Sequence, residues 1–125
     1  IDVIANKGIL DDRYFLDNND QDVQITLIES ENIDYYNKIS GTNIPYINFR
    51  RNIITKNIEL NNLVGKIFFV GDVKLMGHRL CNPCKYLQDM IGDQKFVKKL
   101  IDKGGLRCEV LSNGKISIND FIKVI

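Results

Sequence analysis

Alternating apolar and polar positions predict that most of this chain forms β-strands. Residues 21–28 alternate with the period of a half-buried strand. A helix is expected to begin at Ser30, because acidic residues follow at the positive end of its dipole, and to end near Ser40-Gly41. Later strands are expected over residues 47–55, 66–70, 72–75, 106–111 and 115–124.

Two short helices are expected between the later strands. Asn82 is typical of an N-cap and Pro83 of the first helical position, and apolar residues then recur at helical spacing until Gly92. A second apolar face predicts a helix over residues 94–102, which Gly104-Gly105 would end.

The turn at Ser112-Asn113-Gly114 predicts a β-hairpin between residues 106–111 and 115–124, because Asn-Gly between alternating apolar runs favours a tight turn. No long crossover helix is expected that would cover a parallel sheet. The expected fold is therefore mainly β: one domain over residues 1–125, a closed or nearly closed β-barrel of mostly antiparallel strands with a few short helices.

Composition narrows the class of protein. The chain has 125 residues, with 17 basic and 16 acidic side chains, and this near-balance argues against binding to nucleic acid. No apolar run reaches the length of about 18 residues that a membrane span needs. The first residues do not resemble a signal peptide, and three cysteines suit a reducing compartment better than a disulfide scaffold. We therefore expect a cytoplasmic protein that does not bind membranes.

Cys84 is the main candidate for chemistry. If Asn82 caps the helix, Cys84 lies at the second helical position, where backbone N–H groups and the helix dipole favour the thiolate. The thiolate is the form that attacks sulfur or binds a metal. A small, buried apolar residue at a helix start is an equally weighted alternative.

The spacing of Cys81 and Cys84 leaves other interpretations open. The pair has the spacing of a redox dithiol, although that motif normally follows a strand in a βαβ unit. A zinc site would take His78, Cys81, Cys84 and Cys108, although structural zinc usually uses two paired knuckles. In a third interpretation Cys81 is incidental and only Cys84 is functional.

Arginines form the second candidate feature. Arg13, Arg50 with its neighbour Asn52, and Arg107 stand among strand-like residues. Guanidinium groups bind phosphate or carboxylate with two parallel hydrogen bonds. Surface turns and ion pairs are the alternative for each arginine taken alone. Together with Cys84, several of these arginines would suit an anionic ligand that has a sulfur-seeking centre.

Six short motifs occur in order along nearly the whole chain. They are Asp12-Arg13-Tyr14-Phe15, Phe49-Arg50-Arg51-Asn52-Ile53, Leu63-Val64-Gly65-Lys66-Ile67-Phe68, Cys81-Asn82-Pro83-Cys84, Gly104-Gly105-Leu106-Arg107, and Gly114-Lys115-Ile116 with Asp120. In this order they resemble the MOSC domain, the C-terminal domain of molybdenum cofactor sulfurases, which also occurs as a stand-alone bacterial protein.

Three departures accompany the resemblance. The family has Gly-Asp where this chain has Asn119-Asp120, and Asn tolerates the left-handed backbone that Gly would supply. The family usually has Gly-Asp-Arg where this chain has Asp11-Asp12-Arg13, which places a negative charge beside an arginine expected to meet phosphate. The family's first strand is also not found before Ile1, so we expect a domain that lacks it.

The resemblance implies a barrel of the pyruvate-kinase-barrel type and a role for each candidate residue. Cys84 would carry a persulfide or ligate molybdenum. Arg13, Arg50, Asn52 and Arg107 would contact the phosphate and pterin of the molybdenum cofactor.

Three functions are compatible with this resemblance. A sulfur carrier would need a cysteine desulfurase as its partner. A molybdenum-dependent reductase of N-hydroxylated compounds would need an electron-transfer protein. A binding module that keeps the fold without catalysis is the third.

Overall fold

The computed structural model describes residues 2–4, 8–9, 25–49, 51–81, 88–89, 92–93 and 95–125. The strands are β1 (Asp2–Ile4), β2 (Gly8–Ile9), β3 (Ile25–Glu29), β4 (Ile53–Thr55), β5 (Ile67–Val70), β6 (Val73–Leu80), β7 (Leu106–Val110), β8 (Gly114–Lys115) and β9 (Ile122–Val124). The helices are α1 (Ser30–Ser40) and α2 (Phe96–Lys99), with 3₁₀ turns at Tyr46–Phe49 and Leu60–Leu63.

The strands form two sheets. The larger sheet has the order β4-β3-β7-β6-β5-β9, and the smaller one has the order β2-β1-β8. In the larger sheet every neighbouring pair is antiparallel except β3 and β4, which are parallel. The prediction of a mainly β, mostly antiparallel fold is therefore confirmed.

The expected closed barrel is wrong. The larger sheet curls into an open half-barrel, and its end strands β4 and β9 do not pair with each other in the described part of the chain. The helix α1 and the Tyr46–Phe49 turn cover part of the second face of this sheet. Ile28 of β3 packs there in one buried cluster with Ile33 and Tyr36.

The main core lies on the other face of the larger sheet. It consists of side chains that alternate inward along the central strands, together with Leu60 and Leu63 from the second 3₁₀ turn. Its fully buried members from the strands are Ile25, Leu27, Phe68, Val73, Leu75, Leu106, Cys108 and Val110.

Several predicted elements are confirmed with shifted bounds. The helix α1 spans Ser30–Ser40 and is capped by Gly41, as expected. The strand expected over residues 72–75 continues to Leu80, and the helix expected over 94–102 is reduced to Phe96–Lys99. The helix expected from Asn82 lies mostly outside the described residues, although Gln88 and Asp89 are helical.

Among its described residues, the stretch 47–55 is extended only at its end. Tyr46–Phe49 forms a 3₁₀ turn instead, and only Ile53–Thr55 is a strand. The turn places the ring of Phe49 edge-on against Tyr36, with the ring centroids 6.3 Å apart. Packing in the second core therefore overrides the strand preference of this segment.

The predicted hairpin at residues 112–114 is wrong. Strand β7 lies inside the sheet, with β3 on one side and β6 on the other, so it has no free edge for residues 115–124. Neither Asn113 nor Gly114 has the positive φ that a type I′ turn needs. Gly114 instead pairs with β1, and a Cβ there would lie 2.9 Å from Val73 Cγ2.

Gly105 sets the position of β7 against β3. Its φ is +108°, and a Cβ on Gly105 would overlap the carbonyl oxygen of Leu27. We expect Gly105→Ala to lower the free energy of unfolding by at least about 3 kcal/mol, because backbone strain and a backbone clash add up. Gly65→Ala is the matched control, since Gly65 has a φ of +77° but nothing within 4 Å. It should cost only about 1–2 kcal/mol. Equal losses of unfolding free energy for the two variants, measured by urea denaturation, would contradict this account.

A second prediction concerns the hydroxyl of Tyr36, which donates a 2.7 Å hydrogen bond to Asp93 Oδ2. Burial, followed by this bond, raises the pKa of Tyr36 from 10 to about 12. The folded state is therefore stabilised below pH 10, and this stabilisation is lost as the pH rises through about 12. The difference in unfolding free energy between wild type and Tyr36→Phe should shrink over that range. Tyr46→Phe serves as control. The Tyr46 hydroxyl donates its hydrogen bond to Asp34 at an exposed position, so the difference in unfolding free energy should change less with pH there.

Candidate anion-binding site

A β-bulge in β6 builds one side of the site. Gly77 pairs with Cys108 and Arg79 pairs with Arg107, so His78 is an extra residue without a partner across the ladder. The bulge reverses the alternation of the strand beyond it. Met76, His78 and Arg79 consequently lie on the face opposite the main core, whereas Leu80 packs against the core.

Arginines from three parts of the chain meet on this face. Arg107 hydrogen-bonds to the sulfur of Cys81, and the positive charges of Arg51, Arg107 and Arg79 all act on that thiol. The side chain of Arg79 is exposed, whereas Arg51 and Arg107 are half-buried. Cys81 itself is only 3% exposed. These four residues are called the arginine cluster.

The Gly104-Gly105 turn holds the cluster together. The Gly105 carbonyl accepts the Cys81 N–H at 2.8 Å, and the Gly104 carbonyl accepts Arg51 Nε–H at 2.9 Å. The next residue but one is Arg107, at the start of β7. The double glycine therefore anchors the thiol and two of the arginines through the backbone.

Asn52 lies on the same face of the sheet, where it is hydrogen-bonded to Thr26 of β3. Its Oδ1 accepts hydrogen bonds from Thr26 N–H at 2.8 Å and from Thr26 Oγ1 at 3.0 Å. Thr26 lies directly opposite Arg107 in the ladder between β3 and β7. Asn52 thus fixes the start of β4 against β3, and its Nδ2 has no hydrogen-bond partner in the described part of the chain.

His78 and Glu109 lie beside the cluster. His78 Nε2 is 2.9 Å from Glu109 Oε1, with the two side chains 27% and 12% exposed. Glu109 is two residues after Arg107 on β7, so both side chains point to the same face.

The thiols of Cys81 and Cys108 are both protonated at neutral pH. Burial raises the pKa of each, and for Cys81 the arginines oppose this effect without reversing it. Cys108 packs in the main core. Among the described residues no group of three or more His, Cys, Asp or Glu side chains is arranged to hold a metal ion, and Cys84 of the expected zinc site lies outside them.

The site residues expected from the sequence divide into two groups. Arg107 and Asn52 lie on the polar face described above, on opposite sides of Thr26. Cys84, Arg13 and Arg50 lie outside the described residues.

The structure adds Arg51, Arg79 and Cys81 to the expected anion site. The sequence had marked Cys81 only as half of a redox dithiol or as a zinc ligand. Arg51 was part of the motif Phe49-Arg50-Arg51-Asn52-Ile53, but only its charge pointed to a role in the site. Only the pairing of β6 with β7 reveals that Arg79 and Cys81 share its face.

Residues 15–123 match the family of the MOSC domain. The chain belongs to the MOSC domain family. This match confirms the resemblance seen in the six motifs, and the family is known from molybdenum cofactor sulfurases. A comparison with curated protein sequences gave no match.

Solved MOSC-like structures share the fold of this chain. YuaD from Bacillus subtilis is 20% identical, with a TM-score of 0.79 over 98% of this chain and 82% of its own. YiiM from Geobacillus stearothermophilus is 19% identical, with a TM-score of 0.76 over 84% of this chain and 55% of its own. YiiM from Escherichia coli is 18% identical, with a TM-score of 0.71 over 98% and 60%. The chain thus spans little more than half of either YiiM chain.

The donor groups of the polar face fit a ligand with a phosphate group. Guanidinium groups are the side chains best suited to phosphate, and the cluster brings several together on a half-buried surface. A soft ligand for molybdenum would have to come from Cys84, as the family resemblance implies. Among the described helices none is long and apolar enough to cross a membrane.

The burial of Cys81 and Cys108 predicts selective thiol chemistry. Both should resist iodoacetamide in the native protein at pH 8, because each is buried and its pKa is raised. Peptide mass mapping after timed labelling would measure this, and labelling in urea is the control. Native labelling of Cys81 as fast as in urea would show that its sulfur is not enclosed.

Proposed function

We propose that this chain is a molybdenum-cofactor-binding domain that carries sulfur on Cys84. The observation that supports the proposal is the arginine cluster around Cys81, where Arg79 pairs across the ladder with Arg107 and Arg51 is held on the Gly104 carbonyl. Such a cluster suits the phosphate of the pterin cofactor. When bound, the cofactor would supply the redox and sulfur chemistry of molybdenum.

The residues of this chain would bind and orient the ligand. Arg107 would hold the phosphate, and Nδ2 of Asn52, which has no partner among the described residues, would donate a further hydrogen bond. Arg13 and Arg50 take the same role by family resemblance. The departure at Asp11 adds a negative charge beside Arg13 that such a ligand has to tolerate.

Sulfur would reach Cys84 by an exchange between its thiolate and a persulfide on the donor protein. The Cys84 thiolate attacks the outer sulfur of a persulfide on a cysteine desulfurase. The sulfur–sulfur bond of the donor breaks, the donor thiolate leaves, and Cys84 becomes the persulfide. No external oxidant or reductant is required. Burial of the other two cysteines, with raised pKa values, favours Cys84 as the carrier.

The sulfur-carrier role is tested by mass spectrometry. After incubation with a cysteine desulfurase and cysteine, the wild type should gain about 32 Da on Cys84, the mass of one sulfur atom bound as a persulfide. Cys84→Ser should gain nothing. Cys81→Ser is the matched control, and it should still gain sulfur because the buried thiol is not the carrier.

Cofactor binding is tested separately by elemental analysis. Protein from a host that overproduces the molybdenum cofactor should retain molybdenum, and Arg107→Gln should retain about tenfold less, as expected for the loss of a charged hydrogen bond. A wild type that retains no molybdenum would refute cofactor binding. Retained molybdenum without any sulfur on Cys84 would instead favour the reductase and its electron-transfer partner.

A further inference from the structure

A carboxylate beside the arginine cluster restricts the kind of anion that binds there. Arg107 and Glu109 stand two residues apart on the same face of β7, so their Cα atoms are about 7 Å apart. A bare phosphate held by the arginines gains nothing from Glu109 and is repelled by it. The face therefore has a cationic end, formed by the arginine cluster, and an acceptor end, formed by Glu109 two residues further along β7.

Glu109, the acceptor end, is held in place by His78 and can accept further hydrogen bonds. His78 occupies only Oε1 of Glu109, at 2.9 Å. Glu109 Oε2 has no hydrogen-bond partner in the described part of the chain, although the side chain is only 12% exposed. A carboxylate offers about four lone-pair sites. It can therefore accept a pair of N–H donors from a ligand while His78 fixes its orientation.

The His78 bulge is what brings the two ends together. In an unbulged strand only one of two consecutive residues faces a given side. Here His78 and Arg79 both face the site, one against Glu109 and the other beside Arg107. A single extra residue thus supplies one positioning group for the acceptor end and one cation for the phosphate end.

We propose that Glu109, positioned by His78, binds the amino-pyrimidinone edge of a phosphorylated heterocycle whose phosphate lies in the arginine cluster. A ring N–H and an adjacent exocyclic amino group donate to the carboxylate, as a matched pair of donors. This inference rests on the proposed function, because the molybdenum cofactor is a pterin phosphate with such an edge. It adds that the site recognises the heterocycle as well as its charge.

Three probes separate the two ends of the site. A pterin with a phosphate on its 6-substituent carries both the amino edge and the anion. The matching lumazine phosphate replaces the amino group by an oxo group, and inorganic phosphate has the anion alone. Binding of the two fluorescent probes is measured by anisotropy, and binding of phosphate by competition.

Glu109→Gln should weaken binding of the pterin phosphate about 10- to 100-fold, the usual effect of losing a charge-assisted pair. Binding of lumazine phosphate should weaken less than about twofold, and inorganic phosphate should bind no more weakly than before, because the charge that repels it has been removed. Arg107→Gln should weaken all three probes. His78→Gln should lower the preference for pterin over lumazine without changing phosphate binding. Glu59→Gln, on an exposed residue away from this face, is the control.

The outcomes distinguish this inference from the proposed function. If the wild type shows no preference for the pterin, or if Glu109→Gln does not reduce that preference, the inference is overturned. Retention of molybdenum by the wild type and by Glu109→Gln to the same extent would also overturn it, while the proposed function would stand. Absence of both molybdenum and sulfur from the wild type would overturn the two together. Thermal unfolding of each variant checks that the fold is kept.

Discussion

The close approach of Gly105 to the Leu27 carbonyl is the constraint on which the polar face depends. Only a residue without a Cβ lets β7 start at this distance from β3. The same turn presents the two carbonyls that anchor Cys81 and Arg51. Core packing on one face of the sheet and the arrangement of charges on the other are consequently set by one short piece of backbone. A loss of register there would disturb both.

Local signals in the sequence predicted the elements that depend on local interactions. The helix at Ser30 follows from its dipole and its glycine end, and the central strands follow from their alternation. The hairpin at Asn113-Gly114 failed because both edges of β7 are already occupied, which is a property of the whole sheet. Closure of the barrel failed for a similar reason, since it requires the end strands β4 and β9 to pair, and they do not do so in the described part of the chain.

Only the site residues that belong to recognisable sequence motifs could be predicted. Arg107 and Asn52 were found through the family resemblance, and the structure places them on one face. Arg79 and Cys81 were not assigned to it, because the strand was expected to end at residue 75 and the orientation of Arg79 beyond that point was not predicted. One bulged residue decides that orientation, and no sequence pattern in β6 marks where the bulge lies.

Within the described part of the chain, the larger sheet ends in β4 and β9, and each of these strands has one edge without a partner strand. Each edge strand is only three residues long, and Lys123 occupies the middle of β9. Short edges and an edge lysine both oppose the addition of a foreign strand. The domain therefore keeps the accessibility of an open sheet without offering the long, flat template on which aggregation begins.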